Sequence, residues 1–217
     1  MARKEYIHEG FDSNVDLSLQ SPPSVQKDED AIWERFTRGD DQSLVYIYRT
    51  YAESLFVYGC QFSARKEFVR DCIQELFFEL INKRRGLSAA TSIKGYLFAS
   101  LKRRIVRGMR REERLIFNEN GFDLTFMLST HAMAPAFDRE DAKVIESKLN
   151  RLPVAQKEVI LLHFYEGLGY QEIAEIMNIK VKSARALTYR ALESLSKELS
   201  AFKASFYTAI LALLLGA

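Results

Sequence analysis

No proline interrupts the chain between Pro23 and Pro135. Within that stretch, apolar residues recur three and four places apart, and such spacing without proline makes a run of helices. No segment alternates apolar and polar residues between turn signals, so strands are not expected. The spacing predicts helices over 29–38, 41–61, 66–83 and 91–113, with Gly39, Gly59 and Gly86 marking candidate ends. A second helical stretch is predicted over 139–203, where Pro153 opens a helix that closes near Gly167. The expected fold class is all-α, with two small helical domains joined by a linker.

The segments between and around these stretches differ in composition. Residues 1–29 are polar, contain Ser21-Pro22-Pro23-Ser24 and read as a flexible N-terminal extension. The first helical unit is expected over 30–114, a linker over 115–142, the second unit over 143–203 and an apolar tail over 204–217. The linker carries the turn signal Asn118-Glu119-Asn120-Gly121 and then Ala134-Pro135. Phe117, Phe122, Phe126 and Leu128 make it too apolar for a free spacer. The apolar run 206–217 is shorter than the roughly 20 residues that a membrane-spanning helix needs. It is expected to fold back on the core or to pair with another subunit, the alternative being a dock for a membrane or a partner.

At 217 residues, 47% hydrophobic and 28% charged, the chain is globular rather than disordered. The formal net charge of +2 does not by itself point to nucleic acid. The charge is unevenly placed, though: Lys102–Arg114 holds seven basic residues against two acids, while 119–146 is acidic. Cys60 and Cys72 fit no zinc, redox or disulfide pattern and read as small core hydrophobes. His8, His131 and His163 have no ligand spacing, so neither a metal nor a cofactor is expected. The N-terminal residues lack the apolar run of a signal peptide, and a cytoplasmic protein is expected. No paired carboxylates, nucleophile–base pair or phosphate-cradling glycine loop occurs, so the chain is not expected to be an enzyme or to take a small-molecule substrate.

Three segments carry functional signals. Residues 152–195 read as a helix-turn-helix, a unit that places a helix in the DNA major groove. With successive residues set about 100° apart on a helix, Ala184, Leu187, Thr188, Ala191 and Leu195 share one side. They face Ile173, Ile176 and Met177, while Ile179 fills the turn and Ala174 allows a close crossing. Lys182, Arg185, Ala186, Tyr189 and Glu193 share the opposite face, with Arg190 at its edge and Ser183 beside it. Arg and Lys reach guanine edges or phosphates, Ala186 leaves room for a thymine methyl, and Tyr189 can bond a phosphate.

The helix over 66–83 buries Val69, Cys72, Ile73, Leu76, Phe77 and Leu80 on the same geometry. Asp71, Gln74, Glu75 and Phe78 face outward. An aromatic amid carboxylates on a solvent face is either a stray surface residue or the anchor of a protein-binding surface. Further on, Leu97, Leu101, Ile105 and Met109 form an apolar stripe. Tyr96 stands at the start of that helix, and Lys102, Arg103, Arg104, Arg107, Arg110 and Arg111 follow. Arginines beside aromatics suit nucleic acid: the cations hold the backbone, and Tyr96 or Phe98 can support an unstacked base.

Together these segments resemble the bacterial sigma-70 family of RNA polymerase sigma factors, in its small extracytoplasmic-function (ECF) group. Asp71-x-x-Gln74-Glu75-x-Phe77, then Tyr96-Leu97-Phe98 with its basic helix, resemble family region two over 30–113. Leu152-Pro153, Glu166-Gly167, Glu172-Ile173-Ala174 and Arg190-Ala191-Leu192 resemble region four over 143–200. The resemblance implies a transcription initiation factor with core RNA polymerase and promoter DNA as partners. Asp71, Gln74, Glu75 and Phe78 would dock on the polymerase clamp. Tyr96 and the basic residues from Lys102 to Arg111 would grip the −10 element, and Lys182, Ser183, Arg185, Ala186, Tyr189 and Arg190 would read the −35 element. The resemblance brings in the polymerase flap as a contact and an anti-sigma factor as a regulator. Arg103 and Arg107 stand where relatives often carry Asn or Asp, and Tyr96 where Trp is common, which leaves phosphate contact as the role for those arginines. The alternative reading is a stand-alone helix-turn-helix regulator, which would bind duplex DNA tightly without polymerase.

Overall fold

The computed structural model describes residues 23–87, 92–111 and 147–199. Every regular element among them is helical. The expected linker, the apolar tail and most of the N-terminal extension lie outside the described residues. The first four helices are α1 (Pro23–Thr37), α2 (Asp41–Cys60), α3 (Lys66–Lys83) and α4 (Ile93–Arg111), with a single 3-10 turn at Arg84–Gly86. α1 starts at Pro23, ahead of the expected residue 29.

One tight turn ends α1 and begins α2. Gly39 adopts φ +104°, a conformation that side chains rarely take, and its N–H bonds the Phe36 carbonyl at 2.9 Å. The next residue, Asp40, caps α2 by accepting the N–H groups of Gln42 at 3.1 Å and Ser43 at 3.2 Å. Those contacts, led by the Ser43 hydroxyl, hold the Asp40 carboxyl below its ordinary value.

The core of this half follows the periodicity of the chain. Ile47, Tyr51, Leu55 and Tyr58 of α2 meet Val69, Ile73, Leu76 and Leu80 of α3 and Leu97, Leu101, Ile105 and Met109 of α4. Trp33 and Phe36 of α1 close the bundle. Gly59 stands in the last turn of α2, at the helix end expected for it, and there α3 and α4 also approach closely. Phe98, expected as an aromatic beside the cations, is fully buried and stacks on Tyr58 at 4.9 Å. Cys72 is buried as expected, whereas Cys60 is only half-buried.

The C-terminal half begins with helical residues 147–151 and continues through α5 (Val154–Ile160), α6 (Tyr170–Met177) and α7 (Val181–Leu199). Pro153 immediately precedes α5, one residue outside the position expected for it. A wider π-type turn, Leu161–Tyr165, extends α5, and Gly167 ends it at φ +67°. The imidazole of His163 is fully buried in this turn; its Nδ1–H donates to the Leu168 carbonyl at 2.9 Å, and its ring lies 4.5 Å from that of Tyr170. Burial holds His163 below its ordinary pKa. The two halves touch, with α4 lying against α6.

Candidate nucleic-acid interface

The α6–turn–α7 unit is built by backbone caps rather than side-chain caps at the second helix. The Glu172 carboxylate accepts the Gly169 N–H at 2.7 Å and fixes the start of α6. Asn178 turns the chain at φ 53°, a left-handed position that Asn tolerates better than most residues. The Ile179 N–H then closes on the Ala174 carbonyl at 2.9 Å. No Ser or Thr precedes α7; the Lys180 carbonyl accepts the first N–H groups, from Ser183 at 2.8 Å and Ala184 at 3.1 Å.

Ala184, Thr188, Ala191 and Leu195 of α7 are buried against α5 and α6. Thr188 tucks its hydroxyl onto the Ala184 carbonyl at 3.2 Å, so its polarity is satisfied inside the hairpin. Lys182, Ser183, Arg185, Tyr189 and Arg190 are exposed, and Ala186 is half-buried. Tyr189 is 57% exposed, far above what an aromatic in a core would show. The Arg185 guanidinium lies over the Tyr170 ring at 5.3 Å, which restrains it while leaving the residue exposed. A restrained cation loses less entropy on binding than a mobile one.

On α3 the expected division holds throughout. Val69, Cys72, Ile73, Leu76, Phe77 and Leu80 are buried, and Asp71, Gln74, Glu75 and Phe78 are exposed. Phe78 leaves 68% of its surface in solvent, the highest value for a large hydrophobic among the described residues. Tyr48 of α2 extends this apolar surface, itself half exposed and 5.0 Å edge-on from Phe77.

The basic residues of α4 are not equivalent. Arg103, Arg107 and Arg110 are exposed. Arg104 is half-buried and paired at the surface: its guanidinium bonds Glu75 at 2.9 Å and also Glu79, so it braces α4 against α3. Hydrogen bonds from Lys83 and Arg104 hold the Glu79 carboxyl below the usual range. Tyr96 is half-buried, with its ring 5.4 Å from that of Trp33. A cleft of about 180 Å³ lies between α3 and α4, bordered by Glu79, Tyr96, Ser100, Arg103, Arg104 and Arg107. Arg103 hangs over it, donating to the Ser100 hydroxyl at 3.1 Å. The side chain of Arg111 lies outside the described residues.

Lys102 is engaged by the other half of the molecule. Its ammonium sits 2.6 Å from Glu158 of α5, whose same oxygen accepts the Tyr58 hydroxyl at 2.8 Å. Lys94, which the sequence did not single out, pairs with Glu166 at 2.7 Å. The pattern Lys94-x-x-x-Phe98-x-x-x-Lys102 was the available signal, because it sets both lysines on one stripe of α4 around a core ring. Among the described residues no cluster of His, Cys, Asp or Glu could hold a metal ion. No helix among them is long and apolar enough to cross a membrane.

A sequence model described as "Sigma-70, region 4" matches residues 142–195. The chain is 21% identical over 160 residues to the RNA polymerase sigma factor YlaC of Bacillus subtilis, a match spanning 73% of this chain and 92% of that protein. It is 26% identical over 194 residues to the ECF RNA polymerase sigma-E factor of Haemophilus influenzae, spanning 80% of this chain and 96% of that one. In fold it is similar to the sigma factor RpoE in its complex with the anti-sigma factor NepR from Bartonella quintana. That likeness has a TM-score of 0.51 at 20% identity and covers 75% of this chain and 98% of the other.

Proposed function

Because the chain belongs to the sigma-70 family of RNA polymerase sigma factors, in its ECF group, we propose that its three outward faces divide the work of promoter recognition. The protein is a transcription initiation factor and not an enzyme. In this reading α1–α4 form region two, and the helices from 147 onward form region four. The α3 face of Asp71, Gln74, Glu75 and Phe78 docks on the polymerase clamp, with Phe78 as the apolar anchor and the polar groups as its rim. Arg103, Arg107, Arg110 and Arg111 of α4 hold the strand backbone at the −10 element, with Tyr96 beside the cleft. Arg104 contributes as a brace between the polymerase face and the DNA face. On α7, Lys182, Ser183, Arg185, Ala186, Tyr189 and Arg190 meet the −35 duplex.

The observation that carries this reading is the pair of exposed faces on separate helices of one chain: an aromatic set among acids on α3, and a basic face with an exposed tyrosine on α7. A stand-alone duplex-binding regulator has no use for the first. The partners are core polymerase, including its flap, and promoter DNA. An anti-sigma factor is the expected regulator, as in the Bartonella quintana complex. A role at promoter DNA supports a cytoplasmic location.

Reconstituted transcription tests the reading. Core polymerase without its own specificity subunit should select discrete start sites when this protein is added, and the protein alone should bind promoter duplex weakly. Tight duplex binding by the protein alone, with no start-site selection by the mixture, would sink it.

A further inference from the structure

Of the cations on α7 that are read as facing DNA, Lys182, Arg185 and Arg190, Arg185 alone rests on a ring among the described residues. That ring belongs to Tyr170, the first residue of α6, which is itself only 7% exposed. Tyr170 is held on several sides. The buried His163 imidazole lies 4.5 Å from it at a 30° tilt and is fastened in turn to the Leu168 carbonyl at 2.9 Å. The Glu172 carboxylate fixes the preceding residue by accepting the Gly169 N–H at 2.7 Å. The phenol end faces α7: burial raises its pKa, while the Thr188 hydroxyl and the Arg185 charge pull the other way.

A ring holds an arginine in a different way from an acid. Glu75 and Glu79 hold Arg104, but a carboxylate cancels the charge and competes with a phosphate or a base edge. A tyrosine face attracts the guanidinium through its quadrupole and leaves the charge and the N–H donors unspent. We propose that Tyr170 is a positioning residue for −35 recognition: its ring, backed by His163, orients the Arg185 guanidinium before DNA arrives. The inference rests on the reading of α7 as the −35 helix. A two-point contact with a base edge requires the guanidinium plane to meet two acceptors at once. A side chain already seated loses less rotamer freedom in reaching that geometry. Removing the ring leaves the charge that phosphates feel unchanged, so its loss falls on discrimination between base pairs rather than on general affinity.

The test uses core polymerase loaded with the full chain and a pool of duplexes randomised across the −35 positions, with the bound fraction sequenced. Arg185→Ala identifies the base-pair position whose preference flattens. Tyr170→Leu should lower the preference at that same position by about two- to fivefold, the equilibrium equivalent of one cation–π contact. The other positions and the salt dependence of binding should stay as in wild type. Tyr170→Phe, which keeps the ring, should keep the preference. Tyr170→Leu/Arg185→Ala should match Arg185→Ala alone, because the ring acts only through the guanidinium. In the isotope-labelled full chain, the Arg185 Nε–H resonance should be displaced by the ring current in wild type and Tyr170→Phe, and not in Tyr170→Leu.

A loss spread evenly over all positions in Tyr170→Leu, or one that adds to that of Arg185→Ala, would show a scaffold role and overturn the proposal. Should Tyr170→Leu fail to fold by circular dichroism, the wild-type resonance decides, and an Arg185 signal without ring-current displacement overturns it. If Arg185→Ala flattens no position, the assignment of Arg185 to DNA fails and the positioning role falls with it. If Arg185→Ala flattens a position that Tyr170→Leu leaves intact, that assignment stands and the positioning role alone is wrong.

Discussion

Gly59 sits where α2, α3 and α4 converge, and replacing it by alanine opposes two effects of known size. An alanine in a helix interior is favoured over glycine by about 1 kcal/mol. Against that, a Cβ at Gly59 would meet Val69 Cγ1 at 2.5 Å and Ile105 Cδ1 at 3.2 Å. Val69 is fully buried and β-branched in a helix, so it has one strongly preferred rotamer and nowhere to move. Overpacking of this kind costs about 1–3 kcal/mol, and the expected net is a destabilisation of about 1 kcal/mol. Gly108 supplies the control. Its added Cβ would meet only the ring edge of Phe68, at 2.8 Å, and Phe68 is half-buried and able to swing outward. Gly108→Ala should therefore be neutral or stabilising. Urea unfolding followed by circular dichroism reads both. The decisive arm is Gly59→Ala in a Val69→Ala background, where the clash is gone and the substitution should stabilise. If Gly59→Ala is as harmful there as in wild type, contact with Val69 is not the cause and the reasoning fails.

Phe78→Ala should leave unfolding by urea nearly unchanged, because the side chain is 68% exposed, yet weaken binding to core polymerase by about 2 kcal/mol or more, as loss of an aromatic anchor does; unaltered capture of core polymerase by the tagged variant would refute the assignment. Arg185→Ala should lose about 1–3 kcal/mol of −35 discrimination while polymerase capture stays intact, measured by fluorescence anisotropy with matched and mismatched duplexes. His163 is held neutral by burial, so the unfolded chain accepts a proton that the folded one resists. Stability should therefore be flat above its unfolded pKa of about 6.5 and fall as pH drops below it. His163→Phe should reduce the difference between urea midpoints at neutral and mildly acidic pH; an equal difference in both proteins would clear His163.

Helix existence and inward faces were legible because both follow from spacing. The buried set of α3 and the apolar stripe of α4 needed only the helical repeat. Gly59 does stand at the end of α2, but that it also admits a neighbour could not be read, because a glycine that ends a helix and one that allows a close approach look alike in sequence. Phe98 was misjudged for a related reason. It stands beside cations in the chain, yet its ring turns inward onto Tyr58, forty residues away in sequence.

The basic helix shows where spacing alone runs out. Counting cations on α4 treats Lys102, Arg103 and Arg104 as one block, but neighbouring residues on a helix point about 100° apart. One meets Glu158 of the far half, one faces solvent over Ser100, and one meets Glu75 and Glu79 of α3. The hint in the chain was not among the arginines. It was Glu158, a carboxylate followed by the apolar run Val159-Ile160-Leu161-Leu162. A charge in such a setting requires a partner, but its partners lie 56 and 100 residues back. Three consecutive substitutions to alanine should accordingly separate by assay: Lys102 in the size of the free protein, Arg103 in promoter affinity, and Arg104 in the seating of α3 on α4. If all three change only promoter affinity, the helix is a single cationic face and the division argued from these contacts is wrong.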